Sequence, residues 1–420
     1  MNPKKIGKAL VCRLLERQVK QLRQKNDFRI VAVAGSVGKT STKLAIAKTL
    51  EKSRKVIYQD GNYNDRLTVP LVLFGQAEPN ILNPFAWLKI LIQNANVLRR
   101  PYPYDIAVLE LGVDGPGQMQ DFAYLQPELA VVTAVAPEHM EYFGDLAAVA
   151  REELAVMDFS KEALLNVEDI APEYLPKKPY ISYGKNGEYS ITSREAHGLG
   201  GQHISVHLPD VQTLEADTPF LGQQGATILL AAAAVARKLG LTLDETKAGI
   251  EQVQPFAGRM QILGGVNGAS LIDDTYNASP VAVKAALDVL YSLDAPQRVA
   301  ILGSMNEMGE GSQEMHRDVG EYCDPGKLDL VVTIGGQANE FLAPAASEKG
   351  CRVEQFLNPY EAGEYVKGQL EEGAIVLAKG SQNGVFAEEA LKQLLANPDD
   401  AAKLVRQSPA WLRVKAKQFK

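Results

Sequence analysis

The sequence predicts an α/β protein with two doubly wound domains in series. Apolar strands alternate with helical stretches along most of the 420 residues, a pattern typical of parallel sheets covered by helices. The first strand runs into a glycine turn and a helix, and a second alternating series begins near residue 259 without a G-x-G-x-x-G motif. We therefore expect a basic N-terminal helix over 1–28, a first domain with a mostly parallel sheet over 29–256, and a smaller Rossmann-like domain over 257–420.

The glycine turn is the most informative segment of the chain. An apolar strand from residue 30 leads into Gly35, Ser36, Val37, Gly38, Lys39, Thr40 and Ser41, and a helix follows. In such a phosphate loop, backbone N–H groups surround phosphate oxygens, the Lys neutralises the β- and γ-phosphates, and the Thr hydroxyl holds Mg²⁺. The usual motif has a further Gly where this chain has Val33, so the loop is a shortened variant. We predict a nucleotide site at these residues.

The rest of the first domain follows from its hydrophobic pattern. Residues 105–112 and 129–134 predict buried parallel strands, and residues 146–157 and 225–239 predict helices. Short alternating runs within 178–217 predict an antiparallel patch added to the α/β sheet.

The second domain follows a boundary near residues 255–259. Its strands are predicted over 269–274, 298–303, 328–334 and 374–378, each followed by a helix. This alternation is the basis for a doubly wound second domain.

The composition narrows the class of protein. With 46% hydrophobic and 23% charged residues and a net charge of −7, the chain is not a dedicated nucleic-acid binder. Cys12, Cys323 and Cys351 are too far apart in sequence for a zinc ribbon, and they offer no disulfide framework. The first residues lack the apolar core of a signal peptide, and no long apolar stretch follows. We expect a cytoplasmic monomer without a nucleic-acid partner.

Two amphipathic segments depart from this average. Residues 1–29 carry nine Lys and Arg against Glu16 and Asp27, and residues 81–100 are strongly apolar before ending in Arg99-Arg100. One interpretation is a peripheral contact with an anionic membrane surface. The other, which we favour, is that both segments cover apolar surface on the body of the protein.

Polar residues follow the predicted strands at the edge where open α/β sheets bind ligands. Glu110 ends one strand and His139 follows the next. With Thr40, they supply three donors on neighbouring strand ends that suit the Mg²⁺ of a bound nucleotide.

At this point the chain resembles a family, the ATP-dependent Mur ligases, and within it the ligases that add D-alanyl-D-alanine. The resemblance extends from about residue 30 to 395, and its motifs occur in the family's order. They begin at Gly35, Gly61, Leu109, Glu138, Pro255, Leu271, Ile301, His316 and Leu377. The resemblance implies a P-loop ATPase domain, ATP and Mg²⁺ as cofactors, and activation of a carboxylate as an acyl-phosphate. An amino acid or dipeptide then attacks the acyl-phosphate to form an amide, and this chemistry belongs to cell-wall precursor synthesis.

The resemblance also implies site roles. Lys39 and a Mg²⁺ on Thr40 and Glu110 hold the γ-phosphate, and a second Mg²⁺ near His139 bridges it to the carboxylate. Arg259 reaches the phosphates from the hinge, and Asp274 binds the ribose. The expected substrate residues are Asn62, Asn64, Asn277, His316, Arg317, Lys379 and Ser381.

Four departures from the family pattern bear on function. The position of the family's carbamylated lysine holds Glu153, unless the register shifts to Glu152. Its carboxylate either replaces the carbamate as a metal ligand or is a solvated charge on the helix. Gln224–Ile228 lacks the two asparagines that help to hold adenine, and Gln382 replaces an arginine of the dipeptide site. Only about 28 residues precede the first strand, so we expect the family's N-terminal UDP-sugar domain to be absent.

Three functions remain open from the sequence. The first is a ligase that joins a cell-wall precursor carboxylate to an amino acid or dipeptide. The second is a Mur-like ligase with a different or lipid-linked acceptor, and the third is a regulatory nucleotide-binding protein that has lost ligase activity. The joint presence of Lys39, Thr40, Glu110, His139 and Arg259 argues against the third.

Overall fold

Two six-stranded sheets, one in each half of the chain, carry the fold of the computed structural model. The structure describes residues 3–61, 63–80, 83–210 and 212–419. Its strands are β1 (Arg29–Ala34), β2 (Val56–Ile57), β3 (Ile106–Glu110), β4 (Leu129–Val132), β5 (Glu162–Asn166), β6 (Ile181–Tyr183), β7 (Ser190–Ala196), β8 (Gln202–Leu208), β9 (Gln212–Thr218), β10 (Gln261–Gly264), β11 (Ser270–Asp274), β12 (Arg298–Gly303), β13 (Leu330–Ile334), β14 (Val353–Phe356) and β15 (Ile375–Lys379). Its helices are α1 (Pro3–Lys25), α2 (Lys39–Glu51), α3 (Val69–Leu73), α4 (Pro84–Val97), α5 (Met140–Phe143), α6 (Leu146–Leu154), α7 (Gly222–Lys238), α8 (Leu243–Glu251), α9 (Pro280–Ser292), α10 (Ser312–Tyr322), α11 (Ala343–Glu348), α12 (Pro359–Gln369), α13 (Glu388–Leu394) and α14 (Pro409–Gln418).

The first sheet is parallel throughout, with strand order β2-β3-β1-β4-β5-β6. Helices α2 and α7 cover one face, and α1, α3 and α6 cover the other. Because both faces are buried, the central strands are almost purely apolar, which is why the sequence revealed them. The predicted parallel α/β sheet is confirmed, and β1 lies at its centre, where its carboxyl end meets those of β3 and β4.

The predicted antiparallel patch within 178–217 exists, but it is a separate sheet. Strands β7, β8 and β9 pair antiparallel with one another, so the expectation that they extend the α/β sheet is wrong. Alternate residues of β8, including Ile204 and Val206, are buried in the same core as α7. The small sheet therefore stacks its apolar face on that helix instead of joining the edge of the large sheet.

The second sheet has strand order β10-β11-β15-β12-β13-β14, and all of its pairs except β10–β11 are parallel. Helices α9, α10 and α11 pack on one face, and α12 and α13 pack on the other. This confirms the predicted doubly wound architecture. The sequence analysis missed β10 and β14, which are short edge strands with mixed burial.

The N-terminal helix α1 packs on the first half of the chain. Cys12, Leu15, Val19 and Leu22 are buried at helical spacing against the body of the protein. Arg13, Arg17 and Lys20 are exposed and lie outside this stripe. Among the described residues, none of the helices combines the length and the apolar character needed to cross a bilayer.

Candidate active site

The turn after β1 has a conformation and surroundings that only glycine fits. Gly35 has φ +120°, and a Cβ atom there would lie 2.4 Å from Thr133 Oγ1 and 2.9 Å from the Ala134 nitrogen. The end of β4 fixes the turn further, because the Ser36 N–H donates to the Ala134 carbonyl at 2.9 Å and the Thr133 hydroxyl donates to the Val37 carbonyl at 2.6 Å. The loop is thus rigid at the N-terminus of α2, as a phosphate-binding turn requires.

Lys39, the first residue of α2, sits among carboxylates. Its Nζ lies 3.0 Å from Glu138 Oε2 and 3.4 Å from the Ser36 carbonyl, and its side chain is only 11% exposed. Burial alone would lower the pKa of Lys39, but the carboxylates of Glu138, Glu153 and Glu110 outweigh burial and raise it. The ammonium is therefore charged at physiological pH, ready to meet an anionic phosphate in place of Glu138.

Glu110 ends β3 directly beside α2. It accepts hydrogen bonds from the Thr40 hydroxyl at 3.1 Å and from the Asn64 amide at 3.4 Å, both on Oε1. Lys43 Nζ lies 3.3 Å from Oε2, and both partners of this ion pair are almost fully buried. Among the described residues, Glu110 Oε2 takes part in no hydrogen bond. This buried carboxylate oxygen thus lies beside the Thr40 hydroxyl, with the Lys43 ammonium as its neighbour.

His139 brings the two halves of the chain together. Its Nδ1 lies 3.0 Å from Glu307 Oε2 in the second half, and its Nε2 lies 3.5 Å from Asp114 and 3.8 Å from Glu138. Both His139 and Glu307 adopt positive φ, at 50° and 65°, so each side chain projects from a strained turn. The sequence analysis singled out His139 but missed its three carboxylate neighbours, which follow strand ends just as it does.

The two adjacent glutamates of α6 face different structures. Glu153 Oε2 accepts a hydrogen bond from the Gly35 N–H at 2.7 Å, and the side chain is buried under the phosphate loop. Glu152 instead accepts hydrogen bonds from the N–H groups of Gly117 and Met119, outside the loop. Glu153 is therefore the glutamate that acts on the phosphate loop, while its role as a metal ligand stays a prediction.

Arg259 and Lys379 supply positive charge from the second half. The Arg259 guanidinium stacks on the Tyr276 ring at 4.1 Å, and its buried Nε has no hydrogen-bond partner among the described residues. Lys379 Nζ lies 2.6 Å from Asp274 and donates to the Asn277 carbonyl at 3.0 Å. Asp274, predicted to bind ribose, is thus engaged in a buried ion pair with its strand neighbour.

These groups line one cavity of about 410 Å³ between the two halves. The first half contributes Lys39, Thr40, Asn64, Glu110 and His139, and the second contributes Arg259, Asn277, Glu307, Lys379 and Gln382. Most of the residues predicted from sequence therefore converge on a single polar cleft.

Three described residues predicted to bind substrate do not line this cleft. His316 is fully buried, where its Nε2 accepts a hydrogen bond from the Met305 N–H at 2.9 Å and its Nδ1 contacts the Ser312 carbonyl at 2.7 Å. Ser381 is buried under the same loop, Arg317 is exposed on α10, and Asn62 falls outside the described residues. His316 and Ser381 hold the loop after β12 in place, because a buried polar side chain needs a partner and here that partner is backbone.

A second cavity of about 320 Å³ adjoins the phosphate loop. Val37 and Gly38 separate it from the cleft, and Gln224, Thr227 and Ile228 of α7 line it, so the segment that lacks the expected asparagines lies here. Asn166 and Asp169, after β5, supply polar groups and bond to each other at 2.7 Å. The sequence analysis missed them, although Asn166 ends a strand as Glu110 does.

A buried ion pair between Arg406 and Glu388 lies next to the residues that line the cleft. Arg406 donates two hydrogen bonds to the Glu388 carboxylate, at 2.7 and 2.8 Å, and one to the Tyr276 carbonyl at 3.0 Å. Glu388 is fully buried, and the Arg259 guanidinium stacks on the ring of Tyr276. Arg406 therefore positions Arg259 without touching the cleft itself.

We expect Arg406→Met to destabilise the protein by about 1.5–3 kcal/mol, because it removes the charged hydrogen bonds to buried Glu388 and leaves Lys415, which it shares with Glu389, as its counterion. The KM for ATP should also rise as Arg259 loses its support. Urea unfolding and phosphate release at varied ATP measure the two effects. Arg413→Met, at an exposed position of α14, is the matched control. A stable Arg406→Met protein with an unchanged KM for ATP would contradict the positioning role.

Two protein-family models match this chain, one in each of its halves. Residues 33–236 match the Mur ligase middle domain, and residues 258–382 match the model described as Mur ligase, glutamate ligase domain. The UDP-N-acetylmuramoyl-tripeptide–D-alanyl-D-alanine ligase of Haemophilus influenzae is 31% identical over 382 residues, covering 87% of this chain and 76% of that protein.

Solved structures agree on the fold. MurF from Acinetobacter baumannii superposes with a TM-score of 0.76 at 23% identity, covering 93% of this chain and 81% of that one. MurF from Thermotoga maritima in complex with ADP superposes with a TM-score of 0.73 at 24% identity, and the match covers 91% of this chain and 83% of that one. Since two family models together match more than half of the chain, it belongs to the Mur ligase family and is an ATP-dependent amide-bond ligase of the MurF type.

Proposed function

We propose that this chain joins the terminal carboxylate of a UDP-N-acetylmuramoyl tripeptide to D-alanyl-D-alanine, with conversion of ATP to ADP and phosphate. The names of its relatives in Haemophilus influenzae and Bacillus subtilis support these substrates. The observation that carries the proposal is the cleft in which Lys39, Glu110 and His139 face Arg259 and Lys379 from the other half. We place the reaction in the cytoplasm.

The cleft and the second cavity divide the nucleotide between them. The triphosphate lies on the turn from Gly35 to Thr40, with Lys39 and Arg259 on opposite sides of the γ-phosphate. The adenine occupies the cavity lined by Gln224 and Asn166, which adjoins the same turn. The Gln224 amide replaces the family's asparagines as the donor there, because the Asn166 amide already donates to Thr133 and Asp169.

The donor groups beside the loop fit a Mg²⁺ ion. Mg²⁺ in nucleotide enzymes keeps several waters and takes one or two carboxylates together with phosphate oxygens. Thr40 Oγ1 and Oε2 of Glu110, which makes no hydrogen bond but is paired with Lys43, would supply such a set. Within the described part of the chain, no three His, Cys, Asp or Glu side chains form a ready-made metal site, so the phosphates complete the coordination. A bound Mg²⁺ would neutralise charge on the transferred phosphoryl group.

The side chains around the cleft perform the chemistry in two steps. A carboxylate oxygen of the acceptor attacks the γ-phosphorus and the bond to ADP breaks, which gives an acyl-phosphate. The amine of the donor then attacks the acyl carbon, loses a proton and expels phosphate. Lys39, Arg259 and Lys379 stabilise the crowded phosphoryl oxygens, and closure of two domains over the cleft excludes water from the labile intermediate.

The acidic cluster around His139 is suited to a cation. Asp114, Glu138 and Glu307 surround the imidazole, so either the predicted second Mg²⁺ or the ammonium group of the incoming donor is favoured there. Glu153 adds negative charge beneath the loop.

A substrate panel tests the proposal. We expect phosphate release from ATP only when the UDP-linked tripeptide and D-alanyl-D-alanine are both present, together with a product of the summed mass less water. Single amino acids in place of the dipeptide, and a folate in place of the tripeptide, are the comparison arms. Efficient turnover with one of those pairs, and none with the UDP-linked pair, would reject the proposed substrates.

A further inference from the structure

Helices α1 and α4 lie side by side on the surface of the first half. The Gln18 amide donates to the Leu91 carbonyl at 2.8 Å and accepts from Asn94 at 2.9 Å. Further along, Lys25 Nζ donates to the Leu98 carbonyl at 3.2 Å. Later residues of α1 thus meet later residues of α4, so the two helices run in the same direction and their outward faces adjoin.

The outward face of α4 is an exposed apolar stripe. Phe85, Leu88 and Ile92 are 81%, 54% and 55% exposed, and they are spaced three and four residues apart on one side of the helix. Trp87 and Ile90 occupy the opposite side and are buried. The helix therefore packs on the protein through one apolar face and exposes a second apolar face to solvent. Exposed apolar patches of this kind are typical of interaction sites.

Positive charge borders this stripe. On α1 the exposed residues include Arg13, Arg17 and Lys20, and Lys89, Arg99 and Arg100 flank the stripe on the other side. Residues 84–100 contain no Asp or Glu, and the lone acidic residue of α1, Glu16, is paired with Arg66 at 2.7 Å. In a chain with a net charge of −7, this surface is a local cationic patch.

We propose that this surface, named here the α1–α4 face and formed by Leu10, Arg13, Arg17, Phe85, Leu88, Lys89 and Ile92, binds the surface of an anionic lipid bilayer. Apolar side chains enter the headgroup layer while Lys and Arg meet lipid phosphates, as in interfacial amphipathic helices. With 14 residues, α4 is about 21 Å long, shorter than a bilayer core, so it lies in the plane of the membrane. A second copy of the chain would place like charges against each other, which disfavours self-association through this face.

Vesicle co-sedimentation of the full chain tests the proposal. We expect binding to vesicles of phosphatidylcholine with phosphatidylglycerol, little binding to pure phosphatidylcholine, and release at high salt. A Phe85→Ser, Leu88→Ser, Ile92→Ser variant should lose at least about tenfold in apparent affinity. Arg13→Gln combined with Arg17→Gln should weaken binding to anionic vesicles in the same direction.

Matched controls keep the outcome decisive. Leu357→Ser and Val414→Ser change exposed apolar residues in the second half and should leave vesicle binding intact. All variants should retain the thermal unfolding profile and phosphate release of the unaltered protein without vesicles, because none of these residues lines the cleft. Absence of wild-type binding to anionic vesicles would overturn the proposal. So would equal binding by the triple serine variant, or a dimer in sedimentation velocity that the triple variant abolishes.

Discussion

Replacing Lys39 with alanine is expected to lower ATP turnover by at least about 10²–10³-fold, the cost of removing one preorganised charge from a transition state. We propose that Lys39 meets the γ-phosphate from the helix side of the loop, whereas Arg259 and Lys379 line the cleft from the other half. Neither can move into its place without unpacking its own strand or ring partner. Phosphate release in the presence of both substrates is the measurement.

The fold should survive this substitution. The Lys39 ammonium bonds to Glu138 and to a loop carbonyl, so its loss removes charge and leaves the packing of the core unchanged. Lys48→Ala, on the exposed side of the same helix, is the matched control and should keep normal turnover. If the Lys39→Ala protein released phosphate at the wild-type rate, the nucleotide site would be misassigned.

Glu153→Gln is expected to lower turnover on the order of 10²-fold, because it removes a buried negative charge beneath the phosphate loop. Glutamine keeps an oxygen that can accept the Gly35 N–H, so loop geometry is largely preserved. Glu152→Gln is the control, since Glu152 bonds to Gly117 and Met119, away from the loop. Activity should be independent of bicarbonate, except in a Glu153→Lys variant that requires carbamylation. Normal turnover and Mg²⁺ dependence in Glu153→Gln would contradict this role.

The pH dependence gives a second test of Glu153. Burial raises the pKa of its carboxyl from 4.5 to about 7. Turnover that needs the carboxylate should therefore rise through pH 7 in the wild type and lack this step in Glu153→Gln. The free energy of unfolding should change with pH in the opposite direction to turnover. A raised folded-state pKa contributes most stability below pH 4.5, and this contribution is lost as the pH rises towards 7. The loss should be smaller in Glu153→Gln than in the wild type, while Asp273, whose pKa burial raises to about 6, contributes equally to both.

The sequence predicted best where burial and ligand binding impose strict residue types. Strand β1 is apolar because helices cover both faces of its sheet, and Gly35 is required because any Cβ would meet Thr133. Glu110 and His139 could be found because parallel strands all end at one edge, where ligands bind. These constraints leave recognisable residue types in short segments, even where the contact that imposes them, such as that of Thr133 with Gly35, is distant in sequence.

What escaped prediction depends on partners distant in sequence. His316 has a suitable chemical type for a substrate residue, but tertiary packing turns it inward to hold Met305. Glu307 meets His139 only because the two halves of the chain approach each other. The sheet of β7, β8 and β9 stacks on α7, a choice that alternating polarity alone does not distinguish from edge pairing.

Oxygen transfer tests the central claim most directly. The acceptor is prepared with ¹⁸O in its terminal carboxylate and incubated with ATP, Mg²⁺ and D-alanyl-D-alanine. An acyl-phosphate pathway through this cleft predicts one ¹⁸O atom in each phosphate released, because the carboxylate oxygen that attacks the γ-phosphorus leaves with it. Phosphate without ¹⁸O would show that water attacks ATP directly, and would contradict the assignment of the cleft as a ligase site.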